Sequence, residues 1–431
     1  MTKVDDQGGM MSVRLLTPLR SRDFRLLWTG MTLSLLGDGV LLVALAWQAY
    51  ELSNRPAALS LVLVALTVPQ IVLVLFGGVV SDRFERRRLM LVADVVRGVS
   101  LAVLAWMSIS GALELWHMVA FAVVYGAASA FFMPAFEALV PHLVPAEHLT
   151  EANALDQFVR PAMLWLLGPA LGGVIIGTWG TGWAFALDAG TFGISAICLL
   201  RLTRIPPEEN QPLTVRAVLT DLREGFDFVR STPWLWVTFV AATFTYLLFL
   251  GPTEVLLPYL VKNDLGGSAR ELGLILAAGG VAALAAAAVI GQTGLPRRTM
   301  TFTYLAWTVG TLAVGGYGLA HTQWQAMGAA ALISGFEALG AVAWTTTKQR
   351  LIPGDLLGRV SSLDWFISIS LVPVSYAVTA PVAAAIGTRP TLIGAGVLGA
   401  AVTLSFLFVP GVRDPDRPPV MTGPVASPVA S

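Results

Sequence analysis

The chain has 431 residues, of which 55% are hydrophobic and only 13% charged, and its 27 basic and 27 acidic side chains cancel. Soluble domains carry about twice that share of charge, so a soluble enzyme, a secreted disulfide scaffold and a disordered chain are all disfavoured. The balanced charge gives no bulk attraction to nucleic acid, and the single Cys198 excludes an internal disulfide or a multi-cysteine metal site.

Residues 1–25 are polar and contain glycine, with no short apolar core ending in a small-residue cleavage site. They read as a cytoplasmic segment and not as a cleaved signal peptide. Apolar segments then recur over 26–50, 57–80, 89–110, 116–136, 152–177 and 182–200. A second set follows over 234–260, 271–292, 300–320, 324–346, 359–385 and 390–410. A bilayer core takes about 20 apolar residues per helix. Lipid offers no partner to free backbone groups, so spans of this length must be helices. The expected fold is all-α: twelve transmembrane helices in two six-helix halves, 26–200 and 234–410.

The connector, 201–233, opens with the breakers Ile205-Pro206-Pro207. It continues with Leu213, Val218, Leu219, Leu222, Phe226 and Val229 interleaved with Arg216, Asp221, Arg223 and Arg230. That spacing suits an amphipathic helix on the membrane surface. The Pro-rich residues 411–431 are expected to form a disordered cytoplasmic tail. Counting Lys and Arg by loop places 21 on the side that holds both termini and 4 on the other, with Arg97 and Arg160 inside spans. Basic loops stay cytoplasmic, so the chain is expected in the cytoplasmic membrane with both termini inside.

The halves echo each other. Ile352-Pro353-Gly354-Asp355-Leu356-Leu357 aligns with Val144-Pro145-Ala146-Glu147-His148-Leu149 at an offset of 208, which also maps Leu155-Asp156 onto Leu363-Asp364. Internal repeats of this kind mark transporters built from related bundles.

The loop after the second span reads Gly77-Gly78-Val79-Val80-Ser81-Asp82-Arg83-Phe84-Glu85-Arg86-Arg87-Arg88. It resembles the cytoplasmic loop signature of the major facilitator superfamily. The resemblance implies that Gly78 allows close helix packing and that Asp82, Arg83, Arg86 and Arg87 latch the two halves. Glu85 stands where that signature has glycine. Asp94 and Arg97 are spaced to join the latch as an i,i+3 pair. Gly168-Pro169-Ala170-Leu171-Gly172-Gly173 resembles the core of the superfamily's antiporter signature, which implies close packing and a bend at Gly168, Pro169, Gly172 and Gly173. The span-4 arginine of drug/proton antiporters is absent from Phe121-Ala122-Val123-Val124-Tyr125-Gly126. Gly37-Asp38, Asp188 and the connector through Arg230-Ser231-Thr232-Pro233-Trp234 are instead similar to enterobactin-type siderophore exporters and macrolide-efflux proteins.

A charge at the bilayer centre costs at least about 2.5–3.5 kcal/mol and normally faces a cavity or a partner. Asp38 lies about 18 Å into the first span and ranks first as a proton or substrate site, with a fixed ion pair to an arginine as its rival reading. Glu254, Glu337 and Asp188 follow, each also readable as a span-end or packing residue. Asp156 and Arg160 are spaced for an i,i+4 salt bridge. With Asp364 at the matching repeat position, they form a candidate gate or, equally, helix caps. Aromatics such as Phe132, Tyr246, Trp344 and Trp365 read as cavity walls or as packing.

No Gly-Lys pair exists, so there is no phosphate-binding loop and no ATPase subunit is implied; His117, His142, His148 and His321 show no metal spacing, and no cofactor is expected. The composite expectation is a secondary transporter and not an enzyme. Its partners would be the bilayer, protons and an amphipathic small molecule (a drug, macrolide or siderophore), exported by alternating access. An importer or uniporter of the same fold and a non-transporting receptor are the rivals.

Overall fold

The computed structural model describes residues 16–83, 85–203 and 215–417, with the side chains at 75–83, 138, 146, 150, 215–222 and 355 outside that description. Among the described residues there are helices and no strands. Eleven helices are long and apolar enough to cross a membrane. They are α1 (Arg22–Leu52), α2 (Pro56–Arg83, apolar over Pro56–Val74), α3 (Arg86–Ser110), α4 (Leu115–Leu143), α5 (Glu151–Trp179) and α6 (Thr181–Arg201). After the connector helix α7 (Val215–Ser231) come α8 (Pro233–Asp264) and α9 (Ala269–Thr293). The remaining expected span, α10 (Thr299–Leu319), is less apolar than these eleven because five threonines and four glycines dilute its 21 residues. It is nonetheless packed between α11 (Gln323–Leu351) and α13 (Thr388–Phe406), with α12 (Leu356–Ile386) completing the set.

The sequence punctuates these helices where it should. Ser21 caps α1 by accepting from the Phe24 amide, and its hydroxyl also donates to the Leu143 carbonyl at 3.0 Å, tying the start of α1 to the end of α4. Ser268 with Glu271 and Thr322 with Gln325 form capping boxes at α9 and α11. Gly180 (φ 91°) and Gly387 (φ 92°) turn the chain between α5 and α6 and between α12 and α13, in backbone conformations that side chains resist.

Side-chain contacts sort the loops into two ends. At the connector end, Arg87 donates to the Leu199 and Leu200 carbonyls at 2.7 and 2.8 Å, and Arg359 meets Glu224 of α7 at 2.6 Å. At the far end, Arg389 bonds Asp264 and the Gly318 and Ala320 carbonyls. This alternation is what consecutive crossings require.

Within the first half α6 packs on α1 and α3, and α2 on α4; within the second, α10 packs on α11 and α13. The halves meet along two seams, α5 with α9 and α2 with α12. Both halves interrupt the same span. Helix α5 passes through a π-turn at Ala162–Leu167, and α12 breaks at residues 370–371, the repeat offset of 208 from 162–163. Neighbouring prolines (Pro161, Pro169 and Pro373) remove backbone donors and account for the loosened helix.

The tail is a correction. Residues 411–417, expected to be disordered, are folded: Val412 is fully buried, and Asp416 accepts from the Met300 and Thr301 amides at 2.7 and 2.9 Å. The last described turn therefore caps the start of α10, whose free amides need acceptors. Residues 1–15, 204–214, including the Ile205-Pro206-Pro207 breakers, and 418–431 lie outside the described residues.

Candidate functional site

The densest group of buried polar side chains lies inside the first half, where α1, α3, α4 and α6 converge. Gly37 makes room for it, since a Cβ there would run into the Asp188 carboxyl and the Thr191 hydroxyl. One turn along α3, a Cβ on Gly98 would sit 3.1 Å from Phe192 Cβ and 3.6 Å from the Ala189 carbonyl oxygen. The glycines thus bring α1 and α3 against α6 and set Asp38, Arg97 and Asp188 together.

The bonds are specific. The Tyr125 hydroxyl donates to Asp38 Oδ1 in a short hydrogen bond. Arg97 donates to Asp94 Oδ1 at 2.5 Å, and the Ser195 hydroxyl to Asp94 Oδ2 at 2.6 Å. The Thr191 hydroxyl donates to Asp188 Oδ1 at 3.0 Å and to the Asp188 carbonyl at 2.8 Å. The Arg97 guanidinium also lies 4.4 Å from the centroid of the Phe192 ring and 4.5 Å from that of Phe132, contacts that favour a desolvated cation. Asp94 and Asp188 are 0% exposed, whereas Asp38 is half-buried. Three carboxyls thus share one guanidinium. Asp188 Oδ2 and Arg97 Nε are buried without a partner.

The structure distributes the remaining candidates. Glu254 lies in a π-turn of α8, Pro252–Leu256, and accepts from the Tyr376 hydroxyl of α12 at 2.5 Å. Glu337 of α11 packs toward α10, its Oε1 3.4 Å from where a Cβ on Gly310 would stand. No hydrogen bond to the Glu337 carboxyl exists among the described residues. Asp156 and Arg160 form the i,i+4 pair through two bonds, 2.9 and 3.1 Å. Asp364, the repeat counterpart of Asp156, is held differently. At the position matching Arg160 the chain has Ser368, and the cation comes from Lys348 of α11 at 2.6 Å, with Trp344 Nε1 donating at 2.8 Å.

The latch motif divides. Gly78, Asp82 and Arg83 lie outside the described side chains. Arg86 reaches the His142 ring at 3.4 Å. Arg87 bonds the last carbonyls of α6, acceptors that a helix C-terminus leaves open; both arginines thus bind within the first half. Asp94 and Arg97 do pair at i,i+3, but in the core beside Asp38 and not at the loop, because α6 supplies Ser195 and Phe192 there.

The antiporter-like stretch serves both a helix pair and a seam. A Cβ on Gly168 would lie 2.6 Å from Gly39 Cα, and one on Gly172 3.1 Å from Val40 Cα, so this face takes α1. Gly173 faces the other half, its Cβ position 2.8 Å from the Ala269 carbonyl and 3.1 Å from Gly273 Cα. Gly280, two turns further along α9, faces the π-turn backbone at Trp165 and Leu166.

The sequence reading missed the contacts that join the halves at the far end. The Tyr50 hydroxyl donates to the Val255 carbonyl and Lys262 Nζ to the Tyr50 carbonyl, each at 2.5 Å. Asn54 and Asn263 exchange two amide bonds at 2.6 and 3.1 Å. A local signal was present in the cluster of polar residues at the ends of two apolar spans, but nothing paired them across more than 200 positions.

The family model described as transmembrane secretion effector matches residues 13–418. The chain is 28% identical over 393 residues to the uncharacterized MFS-type transporter YfiS of Bacillus subtilis, covering 89% of this chain and 88% of that one. It is 28% identical over 343 residues to the enterobactin exporter EntS of Citrobacter koseri, covering 79% and 80%. The crystal structure of the nucleoside transporter NupG superposes with a TM-score of 0.65 at 11% identity, over 89% of this chain and 98% of that one.

Proposed function

The chain belongs to the transmembrane secretion effector family, a family of major facilitator transporters, and from that premise we propose that it exports an amphipathic small molecule (a drug, macrolide or siderophore) in exchange for protons. One observation carries the reading. Asp38, half-buried in the middle of α1, takes its only described hydrogen bond from Tyr125 and, with two further carboxyls, faces the Arg97 guanidinium, which is bonded to Asp94 instead. Such a site can change its proton load without breaking a dedicated ion pair.

The side that holds the connector and 21 of the basic residues faces the cytoplasm. The bonds between the halves at the far end hold that side shut, the closure an exporter needs while it loads from the cytoplasm. Asp156 with Arg160 and Asp364 with Lys348 flank the cytoplasmic approach as paired gates. Export supports best what the family's description and the printed name of EntS share. Each proton entering down a 100 mV potential supplies about 2.3 kcal/mol.

The test is flux in proteoliposomes with an imposed pH gradient, using a macrolide, a lipophilic cation and a catecholate siderophore. Gradient-dependent movement of one of them, lost in Asp38→Asn, is the expected result. Movement that ignores the gradient, or survives the substitution, refutes proton coupling at Asp38 and favours a facilitator.

A further inference from the structure

Asp188 is the carboxyl of the first-half cluster that has a fully buried oxygen with no donor. It is 0% exposed, Oδ1 accepts from Thr191, and Oδ2 meets no donor. A buried carboxylate oxygen without a donor or cation costs several kcal/mol, and a bound proton removes that cost. The groups that face it are Asp38 on α1, Arg97 on α3, with Asp94 as that arginine's partner, and Tyr125 on α4. Of these, Tyr125 donates to Asp38 and Arg97 to Asp94. The Arg97 Nε is the cluster's other unsatisfied atom. The contact of Gly98 with Ala189 places Arg97 and Asp188, their chain neighbours, on facing turns of α3 and α6.

We infer that Asp188 holds a proton in this conformation and that Arg97 Nε takes its place on the carboxylate when the proton leaves. This deepens the proton-coupled reading and rests on it for its role in transport, though not for the protonation itself. The step balances: the Oδ2–H bond of Asp188 breaks, the proton passes by way of Asp38 to water, and an Nε–H donor from Arg97 forms a hydrogen bond to the oxygen left negative. Proton and guanidinium compete for one oxygen: each proton that leaves lowers the net charge of the buried cluster by one, and Arg97, already bonded to Asp94, comes to bridge the two carboxylates as α3 and α6 shift against each other.

Infrared difference spectroscopy of the purified full-length protein in liposomes reads this directly, through the carbonyl stretch of a protonated carboxyl. Aspartate labelled with carbon-13 at the side-chain carboxyl separates it from glutamates such as Glu254 and Glu337. A label-sensitive band at neutral pH is expected in the wild type, absent in Asp188→Asn and retained in Asp38→Asn. In Asp188→Glu it should lose its label sensitivity, which keeps the test decisive if Asp188→Asn does not fold. In Arg97→Gln the band should persist to higher pH, because the competing donor is gone. Absence of the band in the wild type, or its loss in Asp38→Asn with retention in Asp188→Asn, overturns the inference. A band assigned to Asp188 in a protein whose flux ignores the pH gradient refutes proton-coupled export and leaves the proton assignment standing.

Discussion

The Asp94–Arg97 pair makes the sharpest prediction about what holds the first half together. The two charges approach to 2.5 Å, with the side chains 0% and 6% exposed, so solvent screens them little. At an effective dielectric of about 20 their attraction is roughly 6–7 kcal/mol. Desolvating the two ions costs several kcal/mol each, which offsets much of that gain. The net value of the pair is therefore small, while the cost of breaking it is large. Arg97→Met leaves Asp94 buried with only the Ser195 hydroxyl as donor. Asp94→Leu leaves the guanidinium with three aromatic rings and the more distant carboxyls. Each single substitution should cost about 3–5 kcal/mol, and the double substitution should recover most of it. The assay is reversible unfolding in mixed detergent micelles titrated with SDS, read by tryptophan fluorescence. A coupling energy of at least about 2 kcal/mol is expected from the double-mutant cycle. Additive single effects, or a cost below about 1 kcal/mol for Arg97→Met, would refute the argument that the pair is buried and mutually dependent.

Three further outcomes follow from the packing. Gly173→Val forces the α5–α9 seam apart, because its Cβ would stand 2.8 Å from the Ala269 carbonyl; such overpacking costs about 1–3 kcal/mol, and proteoliposome flux should fall roughly tenfold while each half still folds. Truncation after Pro410, or Asp416→Ala alone, should lower stability by about 0.5–2 kcal/mol in the same unfolding titration, through loss of the α10 cap. Tyr50→Phe removes one bond between the halves at the far end; with Cys198 replaced by alanine, a cysteine at the fully buried Ala49 should label about fivefold faster from outside, one hydrogen bond of about 1 kcal/mol being worth that factor, and an unchanged rate would show that the bond does not hold the far end closed.

The sequence made the helices legible because twelve apolar runs in lipid leave the backbone no alternative. Every expected span lies within a few residues of an observed helix. The connector helix was legible from the alternation of Phe226 and Val229 with Arg223 and Arg230. Partners were harder. Asp38 stood out as a lone carboxylate in an apolar run, but nothing local assigned it to Tyr125, 87 positions away. Asp94 and Arg97 were readable as a pair from their spacing, yet their burial depends on Ser195 and Phe192 of α6, so the pair is found in the core and not at the loop. Asp416 looked like part of a polar tail because a capping acceptor is recognised only once the helix start it serves, at Met300 and Thr301, is in place.

The same contacts set an energetic scale for switching between the two sides. Four hydrogen bonds join the halves at the far end. The Asn54–Asn263 bonds are exposed and contribute least; the Lys262 bond carries a charge and contributes most, so together they are worth about 3–5 kcal/mol. One proton moving inward across 100 mV supplies about 2.3 kcal/mol, and one pH unit adds about 1.4. The two quantities are of similar size, so under the proposed proton coupling a single proton would suffice to open the far end without the bonds being too weak to keep it closed at rest. Along the α5–α9 seam, Gly173, Gly273 and Gly280 present backbone to backbone, so these positions add no side chain that must unlock as the helices slide. On the proposed mechanism, the element that changes state is the first-half cluster. There, Gly37 and Gly98 hold α1 and α3 close against α6, so the proposed proton on Asp188 would act on how α1, α3 and α6 fit together. The loosened turns at Ala162–Leu167 and 370–371 lie at the same repeat position in both halves. A shift of α6 reaches the seam through α1, which packs on α5, and the π-turn lets α5 bend there without breaking its helix.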